Sequence, residues 1–276
     1  VTLIGFLQSF NNVENGFLRR ALRSMANLVD QIVVYDDCST EDVWPLYKEF
    51  DCIVIPGRTN SFSREIFHKQ ELLTWALRYR PDWILWYDTD ACLGKSWETR
   101  EATESFLTQA DEQGAQLIAL HNLNLWRSNW WYRTDEKFND LWHMVWWKNS
   151  GELHYRPTAG LHQQQFPHFF EDEQKAATSV NFDQPSGQLL HFGFAHEREV
   201  MRKYFTYREN GQTGWALERL VNERELVVEP AMSEWFPDWL LEEMGGPEAG
   251  PTPKLTPEEM AEYESFEAWE AQCGAP

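Results

Sequence analysis

At 276 residues, 42% hydrophobic and 25% charged, the chain is long enough for one large domain with at most a small appendage. A formal net charge of −20 argues against a nucleic-acid backbone or an anionic membrane as the main partner, while leaving room for a phosphorylated ligand held through a cation. No apolar run approaches membrane-spanning length, no signal-peptide pattern opens the sequence, and Cys38, Cys52, Cys92 and Cys273 lack paired metal spacing, so a cytoplasmic protein with no transmembrane segment is expected. In chain order, Val1 to Leu7 predicts a buried strand ending in Gln8-Ser9-Phe10-Asn11-Asn12. Phe17, Leu18, Ala21, Leu22, Met25 and Leu28 recur at helical spacing. Gln31 to Tyr35 predicts a second strand, closed by Asp36-Asp37-Cys38-Ser39-Thr40, and a short helix follows around Val43 to Phe50. Asp51 to Ile55 is a third strand, Ser63 to Tyr79 a long helix, and Trp83 to Tyr87 a fourth strand running into Asp88-Thr89-Asp90. Alternation of this kind implies an α/β fold with a parallel sheet.

Beyond Asp90 the pattern predicts a helix over Ser96 to Gln113 and a strand over Gln116 to His121. Asn122 to Ser186 reads as short strands and functional loops rich in aromatics. A strand over Gln188 to Phe194 and helices over Glu197 to Arg208 and Trp215 to Glu223 come next. From Gly245 a Gly- and Pro-rich linker leads to an acidic terminal helix, with Thr256 as cap and Pro257 at its first position. The expected organisation is therefore a domain over 1–244, split into halves at 121/122, and an appendage over 245–276. Trp126, Trp130 and Trp131, in polar surroundings, suit stacking against a sugar ring as a group, with plain core packing the default for any one of them taken alone.

Ligands of open α/β sheets sit outside the carboxyl ends of the strands, where the acids of strands two and four fall. Two carboxylates one residue apart, Asp88 and Asp90, can hold a hard divalent cation through oxygen and leave positions for phosphate. The set Ser9-Phe10-Asn11, Asp36-Asp37-Cys38-Ser39-Thr40, Asp88-Thr89-Asp90 and Leu190-His191-Phe192-Gly193 resembles family 2 glycosyltransferases of the GT-A fold. The likeness runs over roughly Val1 to Arg208. It implies a Rossmann-like nucleotide-binding half with a mixed, mainly parallel sheet (1–121), followed by an acceptor-binding half (122–244).

By that resemblance Asp37 or Asp36 meets the base or ribose of a nucleotide-diphosphate sugar and Phe10 stacks on the base, with Ser9 beside it. Asp88 and Thr89 lie at the diphosphate, and Asp88, Asp90 and His191 hold Mn²⁺ or Mg²⁺, the His favouring Mn²⁺. Lys69 takes the place of the family's donor-contacting Arg, with Arg58 and Arg64 as rivals. The family usually has Gly where Cys38 stands, and an acid where Gln163 stands. The resemblance implies an inverting transfer to a carbohydrate or other hydroxyl acceptor. The base is then sought in the loop region: Asp172 first, with Glu171 and His162 behind it. A sugar nucleotidyltransferase would need a Gly-rich basic loop after strand one, which Gln8 to Asn12 does not supply. A non-catalytic carbohydrate-binding protein is the alternative of another class.

Overall fold

The structure, a computed structural model, describes residues 1–135, 138, 141–156, 164–170, 176–221, 226–247, 250–251 and 255–273. The chain opens with β1 (Leu3–Ser9), α1 (Phe17–Ala26), β2 (Gln31–Asp36), α2 (Trp44–Glu49), β3 (Ile53–Pro56), α3 (Glu65–Leu77) and β4 (Trp83–Trp86). It continues through β5 (Ala91–Leu93), α4 (Arg100–Glu112), β6 (Leu117–Asn124), β7 (Trp131–Arg133), β8 (Trp142–Lys148), β9 (Ser179–Phe182) and β10 (Leu189–His191). The last elements are α5 (Glu197–Glu209), α6 (Trp215–Val221), β11 (Val228–Pro230), α7 (Asp238–Met244), α8 (Pro257–Ala261) and α9 (Phe266–Cys273). They form two compact units. The first comprises Val1–Asn122, Trp142–Leu190 and Ser233–Glu243; the second comprises Leu123–Leu141, His191–Met232 and Met244–Pro276.

The first unit is built on a sheet of order β3-β2-β1-β4-β8-β6-β10-β5, with β9 also on β6. Strands β3, β2, β1 and β4 are mutually parallel, β8 is antiparallel to β4 and β6, and β9 is parallel to β6. The expected α/β class with a mixed, mainly parallel sheet is thus the one that forms. Side chains alternate between faces along each strand. Leu3, Leu7, Val34, Trp83 and Leu85 pack with Leu18, Leu22 and Met25 of α1. Ile4, Phe6, Val33, Tyr35, Ile84 and Trp86 pack on the opposite face with Ile66, Leu72, Leu73 and Ala76 of α3. The same alternation sends Gln8 to the α3 face at the strand end, and Ser9 and Asp36 to the α1 face.

Boundaries differ from the sequence reading where a cap or a short pairing decides them. Strand β4 ends at Trp86, and the buried Ala91-Cys92-Leu93 forms the unanticipated β5. Helix α4 begins at Arg100 because Thr99 accepts the Ala102 amide at 3.2 Å. The helix α7 returns to this unit through Arg20–Glu243 at 2.6 Å and Lys95–Asp238 at 2.6 Å.

The second unit holds a two-stranded antiparallel ribbon, β7 with β11, and helices α5, α6, α8 and α9. Its core gathers Trp126, Phe138, Phe194, Val200, Met201, Phe205, Leu220, Met260 and Trp269. Two residues of the acidic terminal stretch, Met260 and Trp269, are therefore core. A capping box of Thr256 and Glu259 starts α8. Trp126 and Trp130 take the core place and not the open sugar-stacking face: both are buried, Trp126 completely. The Trp126 ring meets Phe138 and Phe194 at 5.6 and 5.5 Å and carries the Arg133 guanidinium 4.4 Å above it. Polar neighbours in the sequence had suggested an open face, but a paired guanidinium stacks there instead. Among the described residues no helix is long and apolar enough to cross a membrane.

Candidate active site

The carboxyl ends of β1, β2 and β4 are tied to one another by the turn that follows β1. Asn11 and Asn12 adopt left-handed backbone conformations (φ 57° and 70°), which Asn tolerates better than most residues. The Asn11 side-chain oxygen accepts the Thr40 and Glu41 backbone amides at 2.7 and 3.2 Å, and the Asn11 backbone N–H donates to Ser39 Oγ at 2.7 Å. Glu41 reciprocates by accepting the Val13 and Glu14 amides. Asn12 Nδ2 donates to Thr89 Oγ1 at 3.0 Å. Thr89 and Glu41 thus brace neighbouring loops. Phe10, in the same turn, keeps 36% of its surface exposed.

The two acids after β2 diverge. Asp36 accepts from Tyr47 Oη at 3.1 Å and from the Ser39 amide at 3.2 Å. Asp37 lies on the α3 side, where both its oxygens accept the Ser61 amide at 3.1 Å and Oδ1 accepts Ser61 Oγ at 3.4 Å. Burial pushes the Asp37 carboxyl above its ordinary range, opposed by the Ser61 bonds and by His68. Cys38, at φ 62°, takes the left-handed position for which Gly is the unstrained choice, and its thiol donates to the Gly57 carbonyl. Gly57 closes the β2–β3 ends: its amide donates to the Asp36 carbonyl at 2.7 Å. A Cβ there would meet that oxygen at 2.8 Å.

His68 and Gln8 joined no sequence-predicted site, yet both stand on the Asp37 side. His68 stacks on Tyr35 with ring centroids 4.1 Å apart. Its two nitrogens contact Gln8 Nε2 at 3.0 Å and Ser61 Oγ at 3.2 Å. A signal existed in the sequence: Gln8 is the one long polar side chain in Leu3 to Ser9. Lys69 is buried, 2.5 Å from Glu65 and 4.4 Å above the Trp86 ring, and donates to the Gln164 carbonyl at 3.1 Å. Arg64 is exposed, over the Phe67 ring, and Arg58 is exposed.

Asp88, Thr89 and Asp90 form a tight turn between β4 and β5, closed by the Ala91 amide on the Asp88 carbonyl at 3.0 Å. Asp88 is exposed and Asp90 half-buried. Two carboxylates in one turn give hard oxygen donors, a set that fits Mg²⁺ or Mn²⁺ completed by phosphate and water. Among the described residues no group of three His, Cys, Asp or Glu side chains forms a closed metal site. His191 belongs to the second unit. There its Nδ1 lies 2.9 Å from Asn124 Oδ1, so that nitrogen carries the proton; Nε2 lies 3.3 Å from Lys203 Nζ. His162, Glu171 and Asp172, the expected proton acceptors, lie outside the described residues.

A scan against protein-family models finds no match, and a search of curated proteins finds none. Solved structures with a similar chain path include S. aureus TarS residues 1–349 (14% identity, TM-score 0.44, covering 80% of this chain and 69% of that one). Another is the mannosyltransferase PcManGT from Pyrobaculum calidifontis in complex with GDP-Man and Mn²⁺ (10% identity, TM-score 0.41, covering 79% and 67%). Against the UDP complex of TarS 1–349 the match has 19% identity and a TM-score of 0.35, covers 45% of this chain and spans 37% of that one. Likeness at this level carries no inference about activity.

Proposed function

We propose that this chain transfers a sugar from a nucleotide-diphosphate sugar to an acceptor hydroxyl with the help of a divalent cation, and that the transfer inverts the sugar's configuration. The observation that carries this reading is the bonding of the β1, β2 and β4 ends through Asn11 and Asn12. It groups an exposed aromatic ring, a buried carboxylate and a two-carboxylate turn at one end of a parallel run of strands, where ligands of such sheets bind. Phe10 stacks on the base, and Asp37 accepts an N–H from it. Asp88 and Asp90 hold the cation, which when bound neutralises the diphosphate as its bond to the sugar breaks. Asn12, bonded to Thr89, fixes the Asp88–Asp90 turn relative to the Phe10 turn, so base and diphosphate are held in one register.

Thermal melting with UDP and with GDP tests the proposal, each in Mn²⁺ and in EDTA. A ligand at about a hundred times its Kd stabilises the native state by about 2.7 kcal/mol. The shift should appear with Mn²⁺ and shrink severalfold in EDTA and in Asp90→Asn. Equal shifts with and without metal for both nucleotides would remove the metal from the reading; no shift under any condition removes the nucleotide.

A further inference from the structure

We propose that Ser61 and His68 are positioning residues that fix the Asp37 carboxylate to accept an N–H from a nucleobase. The proposal rests on the nucleotide reading above and adds two residues that the family resemblance did not supply. The geometry is a one-directional chain of hydrogen bonds. The Gln8 amide N–H donates to His68 Nδ1 at 3.0 Å, which leaves the imidazole proton on Nε2. Nε2–H donates to Ser61 Oγ at 3.2 Å, and the Ser61 hydroxyl donates onward to Asp37 Oδ1 at 3.4 Å. The Ser61 amide adds a donor to both carboxylate oxygens at 3.1 Å. With the carboxylate ionised and the imidazole neutral, every donor in this chain faces an acceptor. Tyr35, stacked on His68 at an interplanar angle of 13°, fixes the plane of the ring that orients the hydroxyl.

His68 and Asp37 are both almost fully buried, so the chain acts where water does not compete. Burial is the main influence on each group, raising Asp37 and lowering His68. The Ser61 amide, the imidazole and the Ser61 hydroxyl all pull Asp37 back toward its ionised form, against Asp36. The other charged or titratable groups facing this cluster are Cys38 at the end of β2, Tyr35 within it, and Arg64, Glu65 and Glu71 from the α3 side. Removing the Ser61 hydroxyl or the imidazole raises the Asp37 pKa further. Binding that needs the carboxylate ionised is then lost at a higher pH on acidification. A purely structural role for either residue does not move that midpoint.

The experiment is calorimetric titration of UDP and of GDP across about pH 5 to 8. The parent is compared with Asp37→Asn, Ser61→Ala, Ser61→Thr, His68→Leu and His68→Gln. Ser61→Ala and His68→Leu should each weaken nucleotide binding by up to about tenfold and move the acid midpoint upward. Ser61→Thr and His68→Gln, which keep a donor, should recover both. If Asp37→Asn abolishes binding while Ser61→Ala and His68→Leu keep the parent affinity and midpoint, the positioning role is overturned and the nucleotide reading stands. If Asp37→Asn binds like the parent, the reading of Asp37 fails and the positioning role with it. Ser61→Ala keeps the backbone donor and decides the matter where His68→Leu does not fold.

Discussion

Gly57→Ala is a sharp test of how the strand ends are held. The added Cβ would come within 2.8 Å of the Asp36 carbonyl oxygen, 3.2 Å of Asp37 Cα and 3.4 Å of the Cys38 amide nitrogen. All three are backbone atoms, so no side chain can swing away to make room. The Gly57 amide also donates to that same Asp36 oxygen at 2.7 Å, and the Cys38 thiol donates to the Gly57 carbonyl. Relief therefore means parting the β2 and β3 ends or shifting Asp37. Overpacking of this kind costs about 1–3 kcal/mol, which at about 2–4 °C per kcal/mol lowers the melting temperature by roughly 2–12 °C. Tryptophan-fluorescence melts give the first readout, and UDP and GDP titration the second, because Asp37 moves with the clamp. Gly246→Ala, with nothing within 4 Å of the new methyl, is the matched control and should melt with the parent. Gly57→Ala melting within a degree of that control and binding nucleotide equally well would refute the clamp.

Phe10→Ala removes a ring that keeps 36% of its surface exposed and belongs to neither strand-face core. It should leave the melt within about 0.5 kcal/mol of the parent and weaken binding of UDP or GDP by about 1–3 kcal/mol, read by calorimetry. Unchanged affinity for both nucleotides takes the ring out of the base site. Trp126→Ala should do the opposite. It deletes a fully buried indole under Arg133 and costs about 3–5 kcal/mol in a denaturant titration; a stable variant impaired only in sugar transfer would contradict the core assignment.

The first ninety residues were legible because their strands are continuous apolar runs and their helices keep a single face. Phe17, Leu18, Ala21, Leu22 and Met25 are all buried, as the spacing required. What stayed hidden was pairing between distant short pieces: β5, β7 and β11 have three residues each, too few to show alternation. Asp37 was nominated alongside Asp36, and only the pleat separates them, since adjacent residues face opposite sides of a sheet. His68 shares the inner face of α3 with Glu65 and Lys69, and its spacing carries no signature of its own until Gln8 and Ser61 stand beside it. The chain changes unit between residues 122 and 123, 141 and 142, 190 and 191, 232 and 233, and 243 and 244; the last change lies beside the Pro- and Gly-rich stretch from Gly245, whereas the first three carry no linker composition.

The return of α7 to the first unit sets the order in which the protein can be completed. Arg20 is met by Glu243 across a separation of 223 residues, and Arg23 lies 4.9 Å from the Trp239 ring centroid. During synthesis at about 5–20 residues per second, α1 emerges many seconds before the segment that covers it. Through that interval the flank of α1 that carries Arg20 and Arg23 lacks Glu243 and Trp239. The segment 233–243 therefore acts as a late closure, and chains released before residue 243 carry a first unit lacking its last piece. Its long sequence separation adds to the loop-closure entropy that this contact must offset.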